Sequence, residues 1–466
     1  MKRRTGSISI LILIFGVVAG VALGGLVMLS STQFSFTHRN VINEQALAIA
    51  EAGINYYRWH LAHEPEDFFD GNPPGTPGPF EHAYLDPQGG QVGTYSLEIE
   101  PPGSEGLIEV VSTGWTTQEP NIRRSIKATF GTPSLARFAF LHNANVWFGN
   151  GMTVDGPVFS NGGIRQDGVN TSTLQTSKTT YTCGVESGCD PEEEGKPGIW
   201  GNGGPDSLWE FPATQIDFVG INLDFNGLQE VADTEGLYMG PSGAQGYHIV
   251  FNSGGTFDVY RVDTTDFYKG WSYDYLCQNL YQTITSESIM GSYAVVDNPV
   301  VFVEDTLWVE GTVNGEVTVV AARFPIDSYQ KDIWITDNLV YVDRSGAHKL
   351  GLIAQHDIAF TKDVPKEFEV NGALLAQSSR ILRHHYNYKD CKEGNPAMKE
   401  ELTIYGSVMS NLIAYWNFGG GGGGNPTSGF VKRTIIYDTN LYYDPPPFFP
   451  SSGEVEMISW EEVDNP

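Results

Sequence analysis

Residues 2–29 read Lys-Arg-Arg-Thr-Gly-Ser-Ile-Ser-Ile-Leu-Ile-Leu-Ile-Phe-Gly-Val-Val-Ala-Gly-Val-Ala-Leu-Gly-Gly-Leu-Val-Met-Leu, and this stretch decides the architecture. Lys2, Arg3 and Arg4 form a basic tip, and no Asp, Glu, Lys or Arg follows until Arg39. From Ile8 to Leu29 the one polar side chain is Ser9. At about 1.5 Å per residue such a helix reaches roughly 33 Å, enough to cross a hydrocarbon core. A basic cluster stays on the cytoplasmic side and sends the following chain outward. The apolar part of a cleaved signal peptide runs about 7–15 residues and ends in small residues. This run is longer, and Leu29-Ser30-Ser31-Thr32 leads into more helical sequence. The expectation is a single-pass inner-membrane anchor with an exported body.

Working outward, Leu47, Ala50, Ile54, Tyr57 and Leu61 recur at spacings of three and four, one apolar stripe on a helix. Asn43, Glu44, Glu51 and Arg58 fall on other faces, and the first proline is Pro65. The spacing predicts one helix over 7–62, its first half in lipid and its second half in water. A plain anchor followed by an unrelated helix fits the same periodicity. Gly16, Gly20 and Gly24 make a small-xxx-small row that lets another helix approach closely.

Lys-Arg-Arg-Thr-Gly6-Ser7-Ile resembles the leader and start of a type IV pilin-like protein. Ala46-Leu-Ala-Ile-Ala-Glu-Ala-Gly-Ile-Asn55 is similar to the Ala-Glu-Ala-Gly-Leu segment of PilX-type minor pilins. The resemblance implies a leader over 1–6, and a prepilin peptidase that cuts between Gly6 and Ser7 and methylates the new amine. It also implies other pilins or pseudopilins as partners through the helix. Two positions depart from the family pattern: Ser7 replaces an aromatic residue and Leu11 replaces a glutamate. A carboxylate buried among apolar helices needs a positive partner, which in pilin filaments is a neighbour's N-terminal amine. Leu11 cannot make that pair, so the chain suits a minor subunit rather than a repeating shaft.

With 56 acidic against 27 basic residues the chain carries a net charge of −29, which argues against nucleic acid or anionic lipid surfaces as partners. No Asp-x-Asp-x-Asp-Gly calcium loop occurs, and no cofactor or metal is expected. Four cysteines fit an exported chain. Cys183 and Cys189 bracket a short turn-rich loop that suits a local disulfide, leaving Cys277 and Cys391 as a long-range pair by elimination; three connectivities remain open. His384-His385 near Cys391 read as a Tyr-rich loop rather than ligands.

Residues 63–91 read as a loop rich in Pro, Gly and acids. Runs at 93–100, 106–114 and 122–130 alternate as an antiparallel meander, giving a segment 63–132. In pilin-like proteins such a sheet covers the exported half of the helix. Over 133–466 short apolar runs end in Gly or Asn, as in Asn145–Ile164, Val300–Val320 and Leu350–Phe360. That rhythm predicts a right-handed β-helix or solenoid-like domain, with insertions at about 170–235 and 380–400; a β-sandwich is the alternative. Gly156–Ile164, Gly351–Gln355 and Tyr437–Pro450 resemble exported bacterial proteins carrying the PilX-type start. The fold expected is mainly β: a long N-terminal α-helix, a small antiparallel pilin-like sheet, then the solenoid.

Asp297, Glu304, Asp305, Asp337 and Asp343, with Arg323 and Arg344 nearby, are the acids a polysaccharide-cleaving β-helix would use, but they form no catalytic signature. No Gly-x-Ser-x-Gly or His-Glu-x-x-His occurs, and no catalytic residue is assigned. The Trp and Tyr residues suit core stacks or a carbohydrate-stacking face. The reading is a minor pilin-like structural subunit of a type IV pilus or secretion filament, with assembly, tip or adhesion roles and a surface carbohydrate or protein ligand. The alternatives are a membrane-anchored polysaccharide lyase or hydrolase, and a surface binding protein unrelated to filaments.

Overall fold

A computed structural model describes residues 7–101, 107–131, 133–216, 218, 225–389, 391–392, 398–419, 426–442, 444–451 and 455–464. The chain divides into two compact units, Met1–Thr132 with Glu454–Pro466, and Pro133–Gly453.

The first unit is built on α1 (Ser7–His63), one unbroken helix of 57 residues. Its Ile10–Leu29 part is long and apolar enough to cross a membrane and is exposed along its whole length among the described residues. The later part buries Ile42, Ala46, Ile49, Ala50, Ile54, Tyr57 and Leu61. The stripe is therefore shifted from the one read in the sequence: Leu47 is only partly buried, and Ile42, Ala46 and Ile49 join it.

Facing this stripe is a five-stranded antiparallel sheet. Strands β1 (Phe80–Leu85), β2 (Gln91–Glu100), β3 (Ile108–Thr116) and β4 (Arg123–Gly131) follow in order, and the late strand Glu456–Val463 adds to the far side of β4. Leu97, Val110, Ile126, Ala128 and Phe130 meet the helix in one apolar core. At about 1.5–3 kcal/mol per fully buried large side chain, this face holds α1 onto the sheet. Two expectations are corrected. The loop assigned to 63–91 contains β1, which pairs with β2 from Phe80↔Leu97 onward. The second domain does not run to 466, because Glu456–Val463 belongs to the first sheet; an eight-residue strand shows nothing in its own sequence of a partner so far away.

The second unit is mainly β and is dominated by a 21-stranded mixed sheet. Its parallel ladders align apolar columns: Val301, Val319, Leu352, Leu374, Val408 and Phe140 are successive register partners. Their neighbours Phe302, Val320, Ile353, Leu375 and Met409 form a second column on the opposite face. Both faces are buried, the second partly beneath α2 (Phe225–Glu235) through Phe225, Leu228 and Ala232. This explains why these strands read as nearly continuous apolar runs.

The expected solenoid is corrected to this mixed sheet. Gly and Asn mark where strands stop, but not whether the chain then crosses over or turns back. It does both: beside the parallel ladders stands a long antiparallel hairpin, Thr256–Ser272 with Leu276–Ala294. The two supposed insertions are also partly structural, since Val169–Asn170, Leu174–Thr176 and Ile381–Leu382 pair within the large sheet.

Candidate functional site

Two sites emerge, one in each unit. In the first unit, the membrane-compatible half of α1 is bare: Leu11 is 57% exposed, Phe15 71% and Leu29 62%. A Cβ added at Gly16, Gly20 or Gly24 would meet nothing within 4 Å, so the small-residue row is open. Ser7 starts the helix, while Gly6 and the rest of the leader lie outside the described residues.

Lower down, the small residues have a contact role. Gly114 on β3 lies directly beneath the helix, where a Cβ would run into the Ala46 carbonyl oxygen and the Ala50 nitrogen. A Cβ at Gly53 would strike Ser112 Oγ and approach Tyr95 Cδ2 at 2.8 Å. The Ala-Glu-Ala-Gly segment thus places helix backbone almost on sheet backbone. After the helix, the chain is tied back through Asp67. Its carboxylate accepts from the Phe69 and Gly71 N–H groups and pairs with His60 Nε2 at 2.9 Å. Burial pushes this carboxyl up, but those bonds outweigh it and hold the pKa below the usual range. Asp70 pairs with His82, and burial with the nearby Asp70 charge pushes the Tyr56 hydroxyl up to about 12.

In the second unit, the ladder Leu307↔Ile333↔Ile358↔Ile381 is preceded on each strand by polar residues, which stack along one corner. Asp305 takes Lys331 at 2.8 Å and two bonds from Ser242. Burial raises the Asp305 carboxyl, but Lys331 and Ser242 bring it below its ordinary value. Asp332 Oδ1 accepts the Asp357 N–H and lies 2.8 Å from His356 Nδ1. Asp357 Oδ1 accepts the Arg380 N–H at 3.0 Å. Each carboxylate thereby satisfies a backbone donor on this or a neighbouring rung. Burial opposes charge on His356, yet Asp332 and Asp357 outweigh it and raise its pKa. Burial and the Asp332 charge push the Asp357 carboxyl up.

Arg380, 3% exposed, gathers distant segments at this corner. Its Nε and Nη2 donate to Asp274 on the hairpin turn at 2.6 and 2.8 Å, and its Nη1 donates to Glu186 at 3.0 Å. Glu186 lies inside the loop closed by Cys183–Cys189, and Cys277 beside the turn is bonded to Cys391; both disulfides span 5.6 Å between Cα atoms. Tyr275 of the same turn reaches His356 Nε2 at 2.9 Å. Asp332, His356 and Asp357 are close enough to share a cation.

The acids singled out in the sequence are dispersed. Glu304 serves Gln229 and Tyr238, Asp337 caps Asn338, and Asp343 faces His348 at 3.7 Å. Arg344 pairs with Glu369, and Arg323 lies over the Tyr329 ring. His385 stacks on Phe418 and His384 on Trp334; burial lowers both imidazoles to about 4. Arg380, Asp274 and Glu186 were missed, and nothing in the local sequence marks them as partners.

No protein-family model and no curated protein matches this sequence. Among solved structures, the crystal structure of the competence-associated pilin ComZ from Thermus thermophilus is similar at 16% identity and a TM-score of 0.30. The match covers 91% of this chain and 97% of that one.

Proposed function

We propose that this chain is a minor pilin-like structural subunit, held in the membrane by α1 and carrying its β-rich body outside, with no enzymatic role. The observation that carries the reading is the division of labour along a single helix. Ile10–Leu29 is apolar and bare, whereas Ile42–Leu61 is clamped on an antiparallel sheet. A soluble protein would not leave some twenty apolar residues uncovered, and the bare half suits lipid first and neighbouring helices afterwards. Leu11 supplies no charge to match an incoming amine, which favours low copy number over a place throughout a shaft. The PilX-type resemblance, processing after Gly6 by a prepilin peptidase and methylation of Ser7 belong to this proposal.

The test has two arms. Mass spectrometry of the mature protein should find a chain starting at methylated Ser7, and a start at Met1 or near Ser31 would overturn the processing. Counting the chain against the major subunit in purified filaments should give a small fraction, and near-equal numbers would overturn the minor role. Leu11→Glu should spread the protein into the shaft.

A further inference from the structure

The strand Glu456–Val463 is recognised by the edge of β4. Its backbone pairs antiparallel with Ser125–Gly131, from Glu456↔Gly131 to Val463↔Ser125. Glu462 binds Arg124, Ser459 Oγ donates to Thr129 Oγ1 at 3.1 Å, and Ile458 packs over Gly131 beside Leu107. In a strongly acidic protein β4 is a basic stretch, with Arg123, Arg124 and Lys127, and the arriving strand brings Glu456, Glu461 and Glu462. Complementary charge and an apolar anchor thus set the register. Met457 and Trp460 stay 37% and 46% exposed, so little core packing commits the strand to one owner.

We propose that the β4 edge also accepts this strand from a second copy, so that crowded neighbours exchange C-terminal strands. All these contacts join the strand to β4 or to the first unit's own core, so a strand of identical sequence from another copy makes the same bonds. What favours a chain's own strand is its tether, which acts as a high local concentration. Copies crowded on a membrane offset that advantage, and exchange of an identical element then costs little. Main-chain pairing supplies the affinity and the charge pattern supplies the specificity. The proposal does not depend on a filament, because crowding on any membrane is sufficient.

The experiment co-expresses two differently tagged full-length chains, one Thr129→Cys and the other Ser459→Cys. A mixed disulfide between them forms in register only when the strand of one copy lies on β4 of the other. The expected result is a mixed-tag dimer when the chains are oxidised in densely loaded membranes, and none when they are diluted into detergent before oxidation. A Thr94→Cys acceptor, on β2, should not give it. Glu462→Arg on the donor should reduce the yield, and Arg124→Glu on the acceptor should restore it. The double variant within one chain must close its internal bond, which shows that the pair is competent. An internal bond with no mixed dimer at any density overturns the exchange and leaves the filament reading untouched. Failure of the internal bond overturns the strand pairing itself.

Discussion

Arg380 and Asp274, 106 residues apart, meet through two parallel hydrogen bonds of 2.6 and 2.8 Å. The fork of the guanidinium matches the carboxylate, and the remaining nitrogen turns to Glu186, 194 residues away. One side chain thus joins a strand corner, a hairpin turn and a disulfide loop. Charge-assisted bidentate pairs of this kind combine strength with geometric selectivity.

Arg380→Ala should destabilise the second unit by about 3 kcal/mol, the lower end of what breaking a buried pair costs, because Asp274 and Glu186 keep some contact with water. Arg380→Lys should recover only part of this, since an ammonium cannot hold both acids in a fork. Denaturant unfolding of the three proteins checks the order. Equal midpoints would refute the role given to Arg380.

Gly114→Ala should loosen α1 from the sheet by about 1–3 kcal/mol, because its Cβ meets helix backbone that has no rotamer to escape into. Gly16→Ala should leave stability of the folded unit unchanged, since open space surrounds that position. Thermal melts of the two variants in detergent compare them directly.

The two disulfides should differ in worth. By the loop-entropy relation, Cys277–Cys391, with a sequence separation of 114, contributes about 5 kcal/mol, and Cys183–Cys189, with a separation of 6, about 2 kcal/mol. Cys277→Ser paired with Cys391→Ser should therefore lower the unfolding midpoint more than the corresponding change at Cys183 and Cys189. Non-reducing peptide mapping tests the connectivity itself, and crossed pairs or free thiols would reject it.

Stability should fall on both sides of about pH 6.5. His142 and His384 are buried without a partner at Nε2 and Nδ1 among the described residues, and burial lowers their pKa to about 3 and about 4. Below pH 6.5 the unfolded chain binds protons these folded rings refuse, so stability is lost as pH falls toward the folded values. For His384 the loss is about 3 kcal/mol by pH 4. His356 has the opposite sign: its raised pKa gives stability that is complete below 6.5 and disappears as pH rises through the folded value. Melts from pH 4 to 8 should show His384→Phe flattening the acid limb and His356→Asn the neutral one.

The helix was legible in the sequence because twenty apolar residues without a charge leave few alternatives, and Ala50, Ile54, Tyr57 and Leu61 fell on its buried face. The meander was legible because β2, β3 and β4 are sequential neighbours with short connections. The hairpin Thr256–Ala294 was hidden because register shifts, such as those at Val259/Tyr260 and Val262/Thr264, break the alternation that marks a strand. The Arg380 cluster and the strand Glu456–Val463 depend on partners more than a hundred residues distant, and local patterns carry no record of such pairings.

Because Gly131 pairs with Glu456, about 325 residues must emerge before β4 acquires its outer neighbour. Synthesised in chain order at roughly 5–20 residues per second, the protein leaves that edge unpaired for about 16 to 65 s. An open, hydrogen-bonding edge beside the long apolar helix is a hazard for that whole interval. The order of the chain therefore works as a clock: the sheet that covers α1 closes only after the whole second unit has been made.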